Sequence, residues 1–184
     1  MNDKLKFTLK AWPVIAIATI GLCFLTQGVA KLFGIDLPDQ QNVEIVRQLL
    51  RNALKSLGHF SICVYSLSLV LVILPAIEEV FFRWLLFMLP VRLAGKGRET
   101  GDAGRETRDE RRGVAIPILI VSSALFSAAH YFSQPFPDAA FIALFFFGLA
   151  QCWLYRKTER LWCPMLNHFL FNLTNVVLIF LVPG

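Results

Sequence analysis

The sequence predicts an all-α protein, a bundle of about five transmembrane helices with an additional amphipathic helix at the membrane surface. Of its 184 residues, 56% are hydrophobic, and the mean hydropathy is +0.59, which is too high for a soluble domain of this size. Long apolar segments recur, and basic residues occupy the short connections between them. This pattern is typical of a polytopic membrane protein. We therefore expect a single integral-membrane domain over residues 1–184.

Five apolar segments are candidates for membrane spans. They are approximately Ala11–Phe33, Phe60–Leu89, Val114–Phe132, Ala139–Tyr155 and Leu161–Val182. The second is overlong for one straight span, and Pro75 can kink it. The segment Asn42–Ser56 differs, because its apolar residues recur at helical spacing with charged residues between them. It indicates an amphipathic helix, either lying on the membrane surface or packed outside the membrane.

The basic residues predict an orientation in the membrane. Lysines precede the first span, and Lys and Arg fill the connections after the second and fourth spans, whereas Ser133–Asp138 has none. The positive-inside rule then predicts a cytoplasmic N-terminus and an outside C-terminus. The connection Gly34–Ser56 disagrees, since it carries three basic residues. The mixed-charge segment Lys96–Arg112 is expected to be a mobile, solvated loop. The net charge of +5 is explained by these connections and does not indicate nucleic-acid binding.

Three charged residues interrupt the second apolar segment, in the pattern Glu78-Glu79-x-x-x-Arg83. Ionised groups at bilayer depth are costly, so they indicate a functional site inside the membrane. Glu79 and Arg83 are four residues apart on a helix and can form an ion pair that organises the site. Glu78 points about 100° away from Glu79. We expect its carboxylate to be available for chemistry.

Two histidines in other predicted spans are candidates for the same site. His130 follows Phe126 by four residues, and His168 precedes Asn172 by four, so each pair shares a helix face. With Glu78, these groups can activate water and stabilise an oxyanion, or bind a metal through two imidazoles and a carboxylate. HExxH and GxSxG motifs are absent, and the four cysteines show no CxxC spacing.

Three motifs in order, EEVFFR, FSAAH and HFLFN, resemble those of the CAAX-protease and bacteriocin-processing (CPBP, or Abi) family of intramembrane proteases. The resemblance covers about Leu74–Asn175, within a motif-bearing core of about residues 60–182. It implies an endopeptidase that cleaves a membrane-associated peptide or protein tail. The compact size suggests a prokaryotic relative in the inner cell membrane. Substrate identity and oligomeric state stay open.

The resemblance also implies a role for each residue of the candidate site. Glu78 is implied as the base that activates water and His130 as its catalytic partner, while His168 and Asn172 hold the water or the oxyanion. We expect no cofactor, because Asn172 is a poor zinc ligand and no clear fourth ligand is present. The alternative is a zinc site formed by Glu78, His130 and His168.

Two other functions are compatible with the same residues. One is a non-catalytic membrane protein, such as an immunity factor or scaffold, and the other is a small proton-coupled transporter. A scaffold would gain more stability from apolar residues at Glu78, His130 and His168. A transporter is disfavoured because the chain shows no internal repeat and no pair of helices broken by Gly or Pro.

Overall fold

The computed structural model describes residues 2–37, 41–53, 55–96, 108–131 and 139–181. Within these ranges the chain forms helices and no strand, which confirms the all-α fold class. The helices are α1 (Asp3–Leu32), α2 (Gln41–Ala53), α3, α4 (Arg108–Tyr131), α5 (Ala140–Thr158) and α6 (Trp162–Leu181). Helix α3 is a continuous run of five segments, Leu57–Ser68, Leu69–Ile73, Leu74–Glu79, Val80–Met88 and Leu89–Lys96.

Several of these helices have the length and composition of membrane spans. In the described part of the chain, three are long and apolar enough to cross a membrane, namely Asp3–Leu32, Leu57–Ala94 and Trp162–Leu181. A shorter apolar helix covers Ala115–His130. The fourth predicted span corresponds to α5, which carries Arg156 and Lys157 in its last turn. The molecule is thus a membrane helical bundle.

Helix α5 occupies the centre of the bundle, in contact with α1, α3, α4 and α6. It packs tightly against α4 at Gly148, where a Cβ atom would lie 3.0 Å from Cβ and 3.1 Å from Cα of Ser123. Those atoms belong to the rigid part of α4 and cannot rotate away. Glycine at this position therefore allows the two helices to pack closely.

One cluster of buried apolar side chains joins five helices. Its members are Ile15, Ala16, Phe82, Phe126, Phe147 and Phe171. The four phenylalanines come from α3, α4, α5 and α6, and Phe82 and Phe126 meet edge to face with their ring centroids 5.3 Å apart. Aromatic pairs of this geometry add to the stabilisation from burial. The phenylalanines of this cluster contact Arg83 and His168, two residues of the site described below.

Helix α2 corresponds to the predicted amphipathic helix, but it ends at Ala53. Ser56 caps the next helix instead, because its hydroxyl accepts a hydrogen bond from the backbone N–H of His59 at 3.2 Å. Helix α2 contacts α3 and α6. The helix is therefore packed against the bundle.

The structure corrects the predicted loop Lys96–Arg112 at its C-terminal end. Helix α4 already begins at Arg108, and Lys96 is the last residue of α3. Arg and Glu are good helix formers, so the charged residues 108–112 extend the apolar helix rather than interrupt it. The rest of that predicted loop, residues 97–107, lies outside the described residues.

Candidate active site

The two glutamates lie in a short α-helical segment of α3 between two π-helical segments. Leu74–Glu79 is preceded by Leu69–Ile73 and followed by Val80–Met88. Pro75 stands at the start of the segment, and it has no N–H to donate to the helix. The chain nevertheless remains helical through Pro75. Because π-helical turns contain more residues than α-helical ones, each π segment changes the direction of the side chains that follow it.

Glu79 is bonded to two side chains inside the bundle. Its Oε2 lies 3.0 Å from Nε of Arg83, and its Oε1 lies 2.9 Å from Nδ1 of His168. Glu79 and Arg83 are 0% exposed and His168 is 4% exposed. Since a carboxylate accepts hydrogen bonds, Nδ1 of His168 is the donor. Glu79 thereby joins α3 to α6 and orients the imidazole.

Glu78 faces the other nitrogen of the same imidazole. Its Oε2 lies 3.7 Å from Nε2 of His168, and its side chain is 28% exposed. This separation is too long for a good direct hydrogen bond, but both atoms can contact one water molecule. One glutamate is thus buried and bonded, whereas its neighbour is accessible. The sequence placed both glutamates at the site but did not reveal that His168 lies between them.

The ring of Phe126 contacts His130, His168 and Arg83. Its ring centroid lies 4.7 Å from that of His130 and 6.0 Å from that of His168. The guanidinium carbon of Arg83 lies 4.6 Å from the same centroid, within the range of a cation–π interaction. Nδ1 of His130 is 2.9 Å from the carbonyl oxygen of Phe126. Because a carbonyl only accepts, Nδ1 is the donor and Nε2 is the acceptor nitrogen of the neutral ring.

Asn172 bonds to the backbone of α3. Its Nδ2 donates to the carbonyl oxygen of Val70 at 3.1 Å, and Val70 lies in the first π segment. The contact ties α6 to α3 upstream of the glutamates. A side-chain amide nitrogen carries two hydrogens, so this bond leaves Asn172 one further donor.

Sequence reasoning missed a buried pair of amides next to His168. Nδ2 of Asn167 donates to Oε1 of Gln151 at 3.2 Å, and both side chains are fully buried. Within the described residues, Gln151 Nε2, Asn167 Oδ1 and both Nη atoms of Arg83 have no hydrogen-bond partner in the protein. Buried polar atoms are normally paired with protein or ordered water. The sequence offered one indication of this pair, which is that Gln151 is a polar residue inside the apolar segment of α5.

A metal at this site would need Glu78, His130 and His168 as ligands of one ion. Nδ1 of His168 is bonded to Glu79 and Nδ1 of His130 to the Phe126 carbonyl, so each ring would offer Nε2 to an ion. In the part of the chain that the structure describes, no group of three or more His, Cys, Asp or Glu side chains is arranged to hold a metal ion. As they are arranged here, these residues do not form a three-ligand metal site.

Comparison with known families identifies the chain. The family model of the Rce1-like type II CAAX prenyl endopeptidases matches residues 59–174, which is more than half of the sequence and includes every candidate site residue. Searches of curated proteins and of solved structures gave no significant match. The family match agrees with the CPBP resemblance of the three motifs and with the membrane-spanning helices of the fold. The chain is an integral membrane protein that belongs to the Rce1-like family of type II CAAX prenyl endopeptidases, a family of intramembrane proteases.

Proposed function

We propose that this protein is an intramembrane endopeptidase that hydrolyses a peptide bond in a membrane-associated peptide or protein tail, with Glu78 as the base that activates water. The observation that carries the proposal is the different state of the two adjacent glutamates. Glu79 is buried and bonded to Arg83 and His168, whereas Glu78 is accessible and faces Nε2 of His168. A general base must reach the water that it deprotonates, and of the two only Glu78 is accessible.

The reaction follows from this arrangement. Glu78 takes a proton from water as the water oxygen attacks the carbonyl carbon of the scissile peptide bond. The carbonyl oxygen becomes an oxyanion in a tetrahedral intermediate. When the C–N bond breaks, Glu78 returns the proton to the leaving nitrogen. The products are a new carboxyl group and a new amine, and Glu78 is regenerated.

His130, His168 and Asn172 have supporting roles in the same proposal. His168, held by Glu79 through Nδ1, presents Nε2 to the water that Glu78 activates. The second amide hydrogen of Asn172 is a donor for the oxyanion. His130, held by the Phe126 carbonyl at 2.9 Å, orients the water from the α4 side. A preorganised donor such as the Asn172 amide typically contributes about 10²–10³ in rate.

The proposed orientation has a cytoplasmic N-terminus and an outside C-terminus, in a prokaryotic inner membrane. The rings of Phe7 and Trp153 contact each other with centroids 5.4 Å apart. The beginning of α1 and the end of α5 therefore share one end of the bundle, and both carry basic residues. An end rich in Lys and Arg faces the cytoplasm by the positive-inside rule, which supports this orientation.

The activity can be tested by comparing protein termini in membranes of cells that express the wild type or Glu78→Ala. We expect new internal termini, close to a membrane-associated tail, with the wild type only. The matched control is Glu44→Ala, since Glu44 is an exposed glutamate of α2 paired with Arg47 at 3.0 Å. It should give the wild-type termini. The same termini with Glu78→Ala would contradict the proposal and favour a non-catalytic function.

Metal removal tests the type of mechanism. We expect purified protein to retain its cleavage rate after treatment with a strong chelator, and elemental analysis to find no stoichiometric zinc in the active protein. The reason is that Asn172 is a poor zinc ligand and no clear fourth ligand is present, and that no group of three ligands is arranged around one point in the described residues. Loss of activity on zinc removal, with recovery on zinc addition, would make the protein a metalloprotease.

A further inference from the structure

The serine and threonine hydroxyls of this bundle have a common bonding pattern. Most of those whose bonds are described donate to the carbonyl four residues earlier in their own helix, a usual arrangement in membrane helices. These residues are Thr8, Thr19, Thr26, Ser61, Ser68, Ser123, Thr158 and Thr174. A hydroxyl that bonds to a different helix therefore stands out from the local default.

Ser122 departs from this pattern at the candidate active site. Its hydroxyl donates to the carbonyl oxygen of Phe82 at 2.6 Å, from α4 to α3. Its neighbour Ser123 keeps the default bond to Leu119 at 2.8 Å, with a long contact of 4.0 Å to Sγ of Cys152 in α5 in addition. The two serines are 1% and 0% exposed, so they share residue type, helix and burial. They differ in the backbone carbonyl to which they donate, which lies in α3 for Ser122 and in α4 itself for Ser123.

The acceptor of the Ser122 bond lies in the π segment that follows the glutamates. Phe82 is part of Val80–Met88, three residues after Glu79 and directly before Arg83. Because π-helical turns are unusual and energetically marginal, a second hydrogen bond to a carbonyl, which has two lone pairs, stabilises the turn. Arg83 belongs to the same π segment, Val80–Met88, so the geometry of this turn sets the direction of the Arg83 side chain.

We propose that Ser122 is a positioning residue that holds this π turn so that Arg83 and Glu79 meet, and Glu79 in turn orients His168. The proposal rests on the catalytic role proposed for the site. Ser122 is 1% exposed, so its proposed role is one of positioning. It acts through the backbone of Phe82 and then through the chain of contacts from Arg83 to Glu79 at 3.0 Å and from Glu79 to His168 at 2.9 Å.

The test compares Ser122→Ala with Ser123→Ala, using a cleaved tail identified by the comparison of termini. With Ser122→Ala we expect kcat to fall about tenfold, with KM unchanged, as for the loss of about one buried hydrogen bond. Deuterium uptake by peptides that cover Val80–Met88 should rise. With Ser123→Ala both quantities should stay near wild type. If Ser122→Ala does not fold, Ser122→Cys keeps the size with a weaker donor and should give smaller changes of the same sign.

Two outcomes would overturn the proposal. One is equal deuterium uptake by Val80–Met88 in the Ser122 and Ser123 variants, because the bond would then not hold the turn. The other is increased uptake with an unchanged kcat, because the turn would then not position the site. The uptake measurement does not depend on catalysis. Full activity of a Glu78 variant would therefore contradict the proposed function without affecting this measurement.

Discussion

Glu78→Gln should lower kcat by about 10² or more while the protein still inserts into the membrane and keeps its thermal stability. Glutamine has nearly the same shape as glutamate but cannot take a proton from water. Stability should persist because Glu78 is partly exposed and its Oε2 lies 3.7 Å from Nε2 of His168, too far for a good direct hydrogen bond. The measurement is cleavage of a reporter tail together with thermal unfolding of the purified protein.

The neighbouring residue provides a contrast on the same helix. Glu79→Gln should lower both activity and thermal stability, because Glu79 is fully buried and bonded to Arg83 and His168. Glu44→Gln, on the exposed side of α2, should change neither. Near wild-type cleavage by Glu78→Gln would remove Glu78 from the mechanism. A large loss of stability in that variant would show that the two glutamates do not divide the roles as proposed.

The sequence indicates this candidate site because its strongest features are local. A charged pair four residues apart inside an apolar segment predicts both a membrane site and an ion pair, and Glu79 and Arg83 do lie 3.0 Å apart. The pairing of His168 with Glu79 joins residues 89 positions apart. No periodicity in a single sequence reports such a contact. The sequence therefore suggested an association of His168 with Glu78, and its bond to Glu79 was missed.

The shape of α3 could not be predicted for a related reason. Pro75 was expected to kink the helix, because it lacks a donor. The structure instead contains π segments on both sides of Leu74–Glu79. Their carbonyls at Val70 and Phe82 accept bonds from Asn172 and Ser122 of other helices. A π turn has no sequence pattern of its own, and these tertiary bonds arise only after the helices pack.

Asn172 illustrates how the structure adds to a role inferred by resemblance. The resemblance implied that its amide holds the water or the oxyanion. In the structure one amide hydrogen is donated to Val70 at 3.1 Å. Asn172 thus joins two helices and retains one hydrogen for chemistry. Both uses need the amide nitrogen, so an aspartate at this position would serve neither of them in its ionised form.

Arg83→Ala should lower thermal stability strongly as well as activity. Arg83 and Glu79 are both 0% exposed, so the substitution leaves a buried carboxylate without its ion-pair partner. Such a change typically destabilises a protein by about 3–5 kcal/mol, which corresponds to a fall in Tm of roughly 10 °C for a chain of this size. The variant also loses the cation–π contact with Phe126 at 4.6 Å. The matched control is Arg92→Ala, because Arg92 is an exposed arginine of the same helix. This variant should unfold near the wild-type temperature.

The double variant Glu79→Ala/Arg83→Ala separates the ion pair from the packing of the arginine. If the unpaired carboxylate is the main cause of the loss, removing it should return part of the lost Tm, because two apolar groups are tolerated where one unpaired charge is not. Recovery will be incomplete, since Nδ1 of His168 then lacks its acceptor and the volume of two side chains is missing. Activity should not recover, because nothing orients the imidazole toward Glu78. A double variant no more stable than Arg83→Ala would mean that the arginine stabilises the bundle by filling space against Phe126 and not by neutralising Glu79.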